Sequence, residues 1–411
     1  MKTLPKLKII NDPIYGFITI PSLLVFQLME HKYFQRLRRI SQMGFSYIVY
    51  PGAHHTRLHH ALGAMFLMQK AVQVLQSKKV IITKSEEEAL YIAILLHDIG
   101  HGPFSHAMER SIVGSVSHEA ISLLFMEALN KEFDQQLSLA IKIFKDEYSR
   151  KFFHQLVSGQ LDMDRLDYLK RDSFYTGVSE GTVNSQRLIA MLNVRNDALV
   201  VEEKGIYSVE NFIVARRLMY WQVYLHKTGV VAEQLLVRVL KRAKQLSAKG
   251  MKLPASEALQ FFIQNDIVLA DFTEDVLNTF AKLDDNDIIS AMKKWVEHDD
   301  FVLSNLCDML LNRDLLKVKV KSKPFAVQKV GEKRKAVAEK HKISEEEASY
   351  FVFSGKMENQ AYSMEKDTIN LLRKNGKIVD VAKASDQLNI EALSKSVVKY
   401  YMCYPKNNKD S

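Results

Sequence analysis

The chain has 411 residues, 47% of them hydrophobic and 26% charged, with a formal net charge of +9. That length allows two or three domains with proper cores, and the composition is that of an ordinary globular protein. The two cysteines, Cys307 and Cys403, lie far apart and lack finger spacing, which excludes a disulfide framework and points to a reducing compartment.

The N-terminal stretch has neither a long apolar core nor a small-residue cleavage site, so no signal peptide is expected. The longest apolar run, Ala89 to Leu96, is too short to span a bilayer. A cytoplasmic protein without a membrane partner is the resulting expectation.

In chain order, Asn11-Asp12-Pro13 with Gly16 is a turn signal between two short extended pieces. Apolar residues then recur at helical spacing in 22–42, 58–77, 86–97, 117–131, 135–146, 150–158, 161–171, 185–193, 209–226 and 229–247. Leu199–Val201 and Gly205–Tyr207 suggest a small β-hairpin inserted among the helices. Further helices are expected over 255–264, 271–282, 285–297 and 300–312.

The pattern changes near residue 313. Lys317 to Lys321 alternates with period two, giving a strand with one all-lysine face, which discourages edge-to-edge pairing. Glu332 to Lys342 reads as a short basic helix, and strand-like runs occupy 349–354, 368–372, 377–384 and 397–404. The fold expected is mainly α: a helical unit over 1–312 and a smaller α+β unit over 313–411, with a frayed tail from Pro405. Between Lys317 and Lys342 ten Lys or Arg face only Glu332 and Glu339. Such a segment suits either an acidic partner or a solvated face.

The chemistry concentrates in YIAILLHDIGHGPFSH, residues 91–106. An apolar run ends in His97-Asp98, with His101 and His106 close behind. Buried charged groups need compensation, and a divalent metal supplies it to imidazole and carboxylate alike. Upstream, HHTRLHH puts Arg57 and His60 on one helix face. Downstream, LDMDRLDYLKRD lines up Asp164, Tyr168 and Asp172 every four residues. His60, His97, Asp98 and Asp164 make a mixed N/O set that suits iron, manganese, nickel or zinc. Further on, Arg216, Tyr220 and Tyr224 recur every four residues ahead of Lys227, a face suited to phosphates and a stacked base or sugar, or else a core stripe with basic flanks.

The order His60, His97-Asp98, Asp164 is the signature of HD-domain phosphohydrolases. NDPIYGFI, QRLRRISQMG, YPGAHHTRLHHALG, HDIGHGPFSH and DMDRLDYLKRD further resemble the deoxynucleoside-triphosphate (dNTP) triphosphohydrolase branch. The likeness runs from about residue 8 to about 320 and thins beyond.

The resemblance implies that His60, His97, Asp98 and Asp164 hold a metal and that His101, His106 and His118 are catalytic, with His118 and His106 expected as the acid/base pair and His101 against the α-phosphate. It implies that Arg57, Arg165 and Arg216 meet phosphates, that Gln42, Tyr168 and Asp172 read the sugar, and that Tyr220 stands where the mammalian member carries histidine. It aligns Arg36, Arg313 and Lys317 with residues that bind an effector nucleotide between subunits. A dNTP substrate, a magnesium ion bridging its phosphates and a homodimer or homotetramer follow from the same likeness. The alternatives are an HD enzyme for another phosphoester (a monophosphate, a cyclic nucleotide or a nucleic-acid end), and a nucleotide sensor or nucleic-acid-binding module.

Overall fold

The computed structural model describes residues 8–406 apart from Ser105, Arg110, Ser115, Lys366 and residues 387–392, and for His106 the backbone alone. Strands Ile9–Asp12 and Gly16–Thr19 form the N-terminal hairpin. Asp12 Oδ1 closes it by accepting from the amides of Ile14 and Tyr15 at 2.9 and 3.0 Å. The stretch 22–42 is not one helix. Leu23–Glu30 stops at His31, whose extended backbone also caps Lys32–Gln35, and a tight turn, Arg36–Arg39, follows.

The centre is built from helices Arg57–Ser77, Lys84–Leu96 and Met163–Thr176, with the first packed against both others. Their ends are written in the sequence. Thr83 and Glu86 form a reciprocal capping box. Asp162 accepts from Arg165 N–H at 2.6 Å, and Gly177 ends that helix at φ 74°. Ser117 caps His118–Glu132. Every residue from Tyr91 to Leu96 is buried, and the run stops at His97 where the helix does.

The inserted hairpin is real but lies earlier than expected, pairing Leu192–Arg195 with Ala198–Glu202. Its turn residues, Asn196 and Asp197, have φ of 52° and 59°, the conformation that two-residue hairpin loops demand and Asn and Asp tolerate. Gly205 instead closes a short turn that opens helix Ile206–Met219. A π-turn, Tyr220–Tyr224, follows before helix Lys227–Ala248.

Beyond residue 313, Lys317–Lys321 and Phe353–Asn359 flank Val397–Tyr404 in an antiparallel sheet, and the basic helix spans Val327–His341. Asn370–Leu372 does something the sequence did not suggest. It pairs in parallel with Ala198–Glu202, extending the inserted hairpin into a four-stranded sheet. Gln160 binds both the carbonyl and the amide of Ser363 at 2.7 Å. Leu240, Leu316, Phe353 and Leu371 belong to one continuous hydrophobic core, so packing does not break near 313. Among the described residues no helix is long and apolar enough to cross a membrane.

Candidate metal centre and adjoining cavity

Three helices deliver the ligand-type side chains: His60 from the first turn of Arg57–Ser77, His97-Asp98 from the end of Lys84–Leu96, and Asp164 from the first turn of Met163–Thr176. His60 Nε2 lies 3.1 Å and His97 Nε2 3.5 Å from Asp164 Oδ1, and the two Nε2 atoms are 3.4 Å apart. Asp98 Oδ1 is 3.4 Å from His97 Nε2, and Asp98 Oδ2 is 3.9 Å from His60 Nε2. Four residues separated by up to about a hundred positions thus converge.

The other ring nitrogens say what belongs between them. His97 Nδ1 lies 2.6 Å from the Ile94 carbonyl, which only accepts, so Nδ1 carries the proton. His60 Nδ1 lies 2.8 Å from Asp167 Oδ2 and donates to that carboxylate. Both Nε2 lone pairs therefore turn inward on the same point, which is the tautomer a metal requires. Burial would lower the His60 imidazole, but Asp164 and Asp167 outweigh it and push it up to about 10, so without an ion a proton stands on Nε2 toward Asp164, in the place an ion would take. Burial would raise Asp98, yet His97, His101 and Arg57 hold it well below the usual carboxylate range. The site calls for positive charge, and His60, His97 and Asp164 bring ligand atoms close enough for a divalent ion, while Asp98, 3.4 Å from His97, also joins His101 and His118 in a second such group. Spacing alone does not single out Asp167; its signal is its place three residues after Asp164 on the same helix.

His101 and His118 meet beside Asp98. Their rings stack with centroids 3.8 Å apart, and His101 Nε2 is 3.4 Å from Asp98 Oδ1. His118 Nδ1 pairs with Glu109 Oε1 at 2.8 Å. The two histidines are driven apart electrically. Burial, then the Arg57 charge, push His101 down to about 3. Burial also opposes charge on His118, but Glu109 and Asp98 raise it. The side chain of His106 lies outside the described residues.

The glycine of His97-Asp98-Ile99-Gly100 has a steric reason. A Cβ on Gly100 would sit 2.2 Å from both the His118 carbonyl and the Ser122 amide. Ser122 Oγ donates to the His97 carbonyl at 2.7 Å and accepts from Gly100 N–H at 2.9 Å. The two histidine-bearing segments are thereby locked together.

A cavity of about 290 Å³ adjoins the ligand cluster. Gln42, Arg57, Tyr168, Asp172, Tyr220 and Tyr224 line it, with Phe45, Phe104 and Glu233. Arg57 reaches both, with Nη1 2.5 Å from Asp98 Oδ2. Asp172 is held by Tyr224 Oη and by His55 Nε2, each at 2.7 Å; His55, too, was missed. Tyr220 and Tyr224 meet edge to face at 5.1 Å, and Arg216 stands 5.9 Å from the Tyr220 ring centre.

Three expected residues are placed differently. The π-turn breaks the four-residue spacing after Tyr224, so Lys227 begins the next helix and is exposed. Arg165 pairs with the buried Asp162 and is not among the cavity lining. Arg36 overturns its expected place at an effector site. It is 0% exposed, and Nη1 and Nη2 donate to the carbonyls of Ile99 and His101 at 2.8 and 2.7 Å. It clamps the histidine loop from inside, with Phe125 and Phe280 against its guanidinium. Arg313 is exposed and donates to the Ile48 carbonyl at 3.1 Å, and Lys317 opens the basic strand.

The HD-domain family model matches residues 57–171, which span all four ligand-type residues, and the HD-associated-region model matches residues 183–253. A solved phosphohydrolase from Bacteroides thetaiotaomicron is 54% identical, covers 98% of this chain and 100% of its own, and superposes with a TM-score of 0.94. The chain belongs to the HD-domain phosphohydrolases. This HD phosphohydrolase is also 31% identical to the uncharacterized protein YwfO of Bacillus subtilis, over 97% of this chain and 92% of that one. It is 30% identical to the deoxynucleoside triphosphate triphosphohydrolase SAMHD1 homolog of Dictyostelium discoideum, over 58% of this chain and half of that protein's length.

Proposed function

We propose that this HD phosphohydrolase cleaves a deoxynucleoside triphosphate at the α-phosphorus, releasing deoxynucleoside and inorganic triphosphate. The carrying observation is the cavity of about 290 Å³ opening beside the ligand cluster, with a cation at one wall and tyrosines at the other. That volume sits at the lower edge of ligand sites, which run about 300–1,000 Å³. The likeness to proteins named as dNTP triphosphohydrolases supports the same substrate.

A divalent ion, iron, manganese, nickel or zinc, held by His60, His97, Asp98 and Asp164 would supply polarisation of the phosphate and a sharpened water nucleophile. Magnesium on the outer phosphates belongs to the same proposal. The protein's own groups do the rest. Water oxygen bonds to the α-phosphorus as the bond to O5′ breaks, and its electron pair leaves on O5′. His101, kept neutral, accepts from the water. His118, raised by Glu109, gives its proton to the departing oxygen. His106 belongs to this catalytic group. Arg57 and Arg216 neutralise the phosphates, with Arg165, paired with Asp162, and Lys227 at the periphery. Tyr168 packs under the sugar, Asp172 and Gln42 hold its hydroxyl edge, and Tyr220 faces the base.

A panel of the four dNTPs, with ribonucleotides and monophosphates beside them, tests this with Mn²⁺, Fe²⁺ and Mg²⁺. Chromatography should find tripolyphosphate, and His97→Ala/Asp98→Ala should abolish it. Orthophosphate as the sole product would assign another phosphoester. The proposal extends to an effector nucleotide bound near Arg313 and Lys317 in a dimer or tetramer. Hydrolysis of one dNTP with and without a second, followed by light scattering, tests that extension; the absence of both activation and any change in assembly would overturn it.

A further inference from the structure

The turn Asn11-Asp12-Pro13 belongs to no site described so far, yet its aspartate reaches toward the ligand cluster. Asp12 is 7% exposed. One oxygen closes the hairpin, while the other, Oδ2, accepts from Arg171 Nη1 at 2.8 Å across 159 positions of sequence. Arg171 is fully buried and grips both oxygens of Asp167, Nε to Oδ2 at 2.9 Å and Nη2 to Oδ1 at 3.0 Å. Asp167 Oδ2 in turn accepts from His60 Nδ1 at 2.8 Å. An unbroken buried run of charge-assisted bonds leads from the hairpin to His60.

Gly63 makes room for it. A Cβ there would lie 2.0 Å from Asp167 Oδ1 and 2.2 Å from Arg171 Nη2, so the pair can rest flat on the helix one turn beyond His60. Charge explains why a second carboxylate is needed. Alone, Arg171 would neutralise Asp167 and weaken it as an acceptor for His60. Asp12 shares that positive charge, leaving Asp167 electron-rich toward the imidazole.

We propose that Asp12 is a positioning residue for the metal: by holding and partly neutralising Arg171, it keeps Asp167 aimed at His60 Nδ1, so that His60 presents its Nε2 lone pair to the ion. The inference rests on the four-ligand reading of the preceding subsections. It makes the N-terminal hairpin part of the metal site, although it supplies no ligand.

The test is metal affinity of the full-length chain, stripped by chelator and titrated calorimetrically with Mn²⁺ and with Zn²⁺. The unaltered protein should take up an ion. Asp12→Asn, which keeps the shape and the turn-closing acceptor, should bind it more weakly by up to about 10-fold, the lower end of the range for a direct partner of a metal ligand, which here is Asp167. Asp12→Asn/Asp167→Asn should bind no more weakly than Asp167→Asn alone, because both act through one route. Should Asp12→Asn fail to fold, Arg171→Lys, which keeps the charge but loses the fork, carries the same test. Unchanged affinity in a folded variant, even with a lower unfolding midpoint, overturns the inference, as do additive losses in the double variant. A natural sequence that takes up no ion refutes the metal reading itself, a separate result.

Discussion

The rings of His101 and His118 lie 3.8 Å apart and within 17° of parallel, yet their surroundings shift them in opposite directions. Burial and Arg57 keep the first neutral, while Glu109, against burial, raises the second. A neutral ring against a charged one is a workable contact; two charged rings at that distance would repel. A pair of like groups split by their surroundings is the usual mark of an acid and a base.

The pH dependence follows. The acid must be protonated, and Glu109 raises His118, so activity falls as pH climbs through that raised value. Glu109→Gln removes the largest of the raising influences and lowers His118. The alkaline limb of the pH–rate profile should move toward lower pH, with the acidic limb less affected. A limb that stays in place would remove His118 from the acid's role.

Arg36 is the second test. Arg36→Met keeps the volume but leaves the buried carbonyls of Ile99 and His101 without donors. Each such group costs on the order of 1–3 kcal/mol. The unfolding midpoint in urea should drop, and turnover should fall because His101 loses its backbone clamp. Any response to a second nucleotide should persist in what activity remains, since Arg36 does not reach the surface.

Gly100 is the third. Its missing Cβ is replaced by backbone of the His118–Glu132 helix, which has no side chain to rotate away. Gly100→Ala should cost about 1–3 kcal/mol through overpacking. It should lower kcat more than it raises KM, because the displaced segment carries His118 rather than the cavity wall. Steady-state kinetics of the folded variant would decide it.

The sugar is the fourth. Tyr168 lines the cavity with its ring 6.0 Å from that of Tyr224, whose hydroxyl holds Asp172. Tyr168→Ala opens space where a 2′-hydroxyl would sit. The ratio of dNTP to ribonucleotide kcat/KM should fall about tenfold, within the range that small packing changes produce. An unchanged ratio would assign sugar selection to another wall.

Some of this was legible in the residues. Helix periodicity located most of the helical segments, because amphipathic spacing is a local property and the caps at Thr83, Ser117 and Asp162 are local too. The hairpin near 200 was misplaced for want of weight on Asn196-Asp197, whose positive φ is a turn signal in its own right. Lys227 was read onto one face with Arg216 because spacing arithmetic assumes an unbroken α-helix, and the π-turn at Tyr220–Tyr224 breaks it. Arg36 looked like a surface cation because its neighbours are basic; only packing shows it inside.

By itself, the sequence determined which residue types stand at helix ends, and so that two imidazoles and two carboxylates were available to a metal. The tertiary structure alone decided how they are aimed. Asp167, Ile94 and Ser122 turn and hold the two histidines, and Asn370–Leu372 joins a strand some 170 positions earlier. Hydrogen-bond partners distant in sequence leave no periodic trace, since their pairing depends on which surfaces meet after the helices pack.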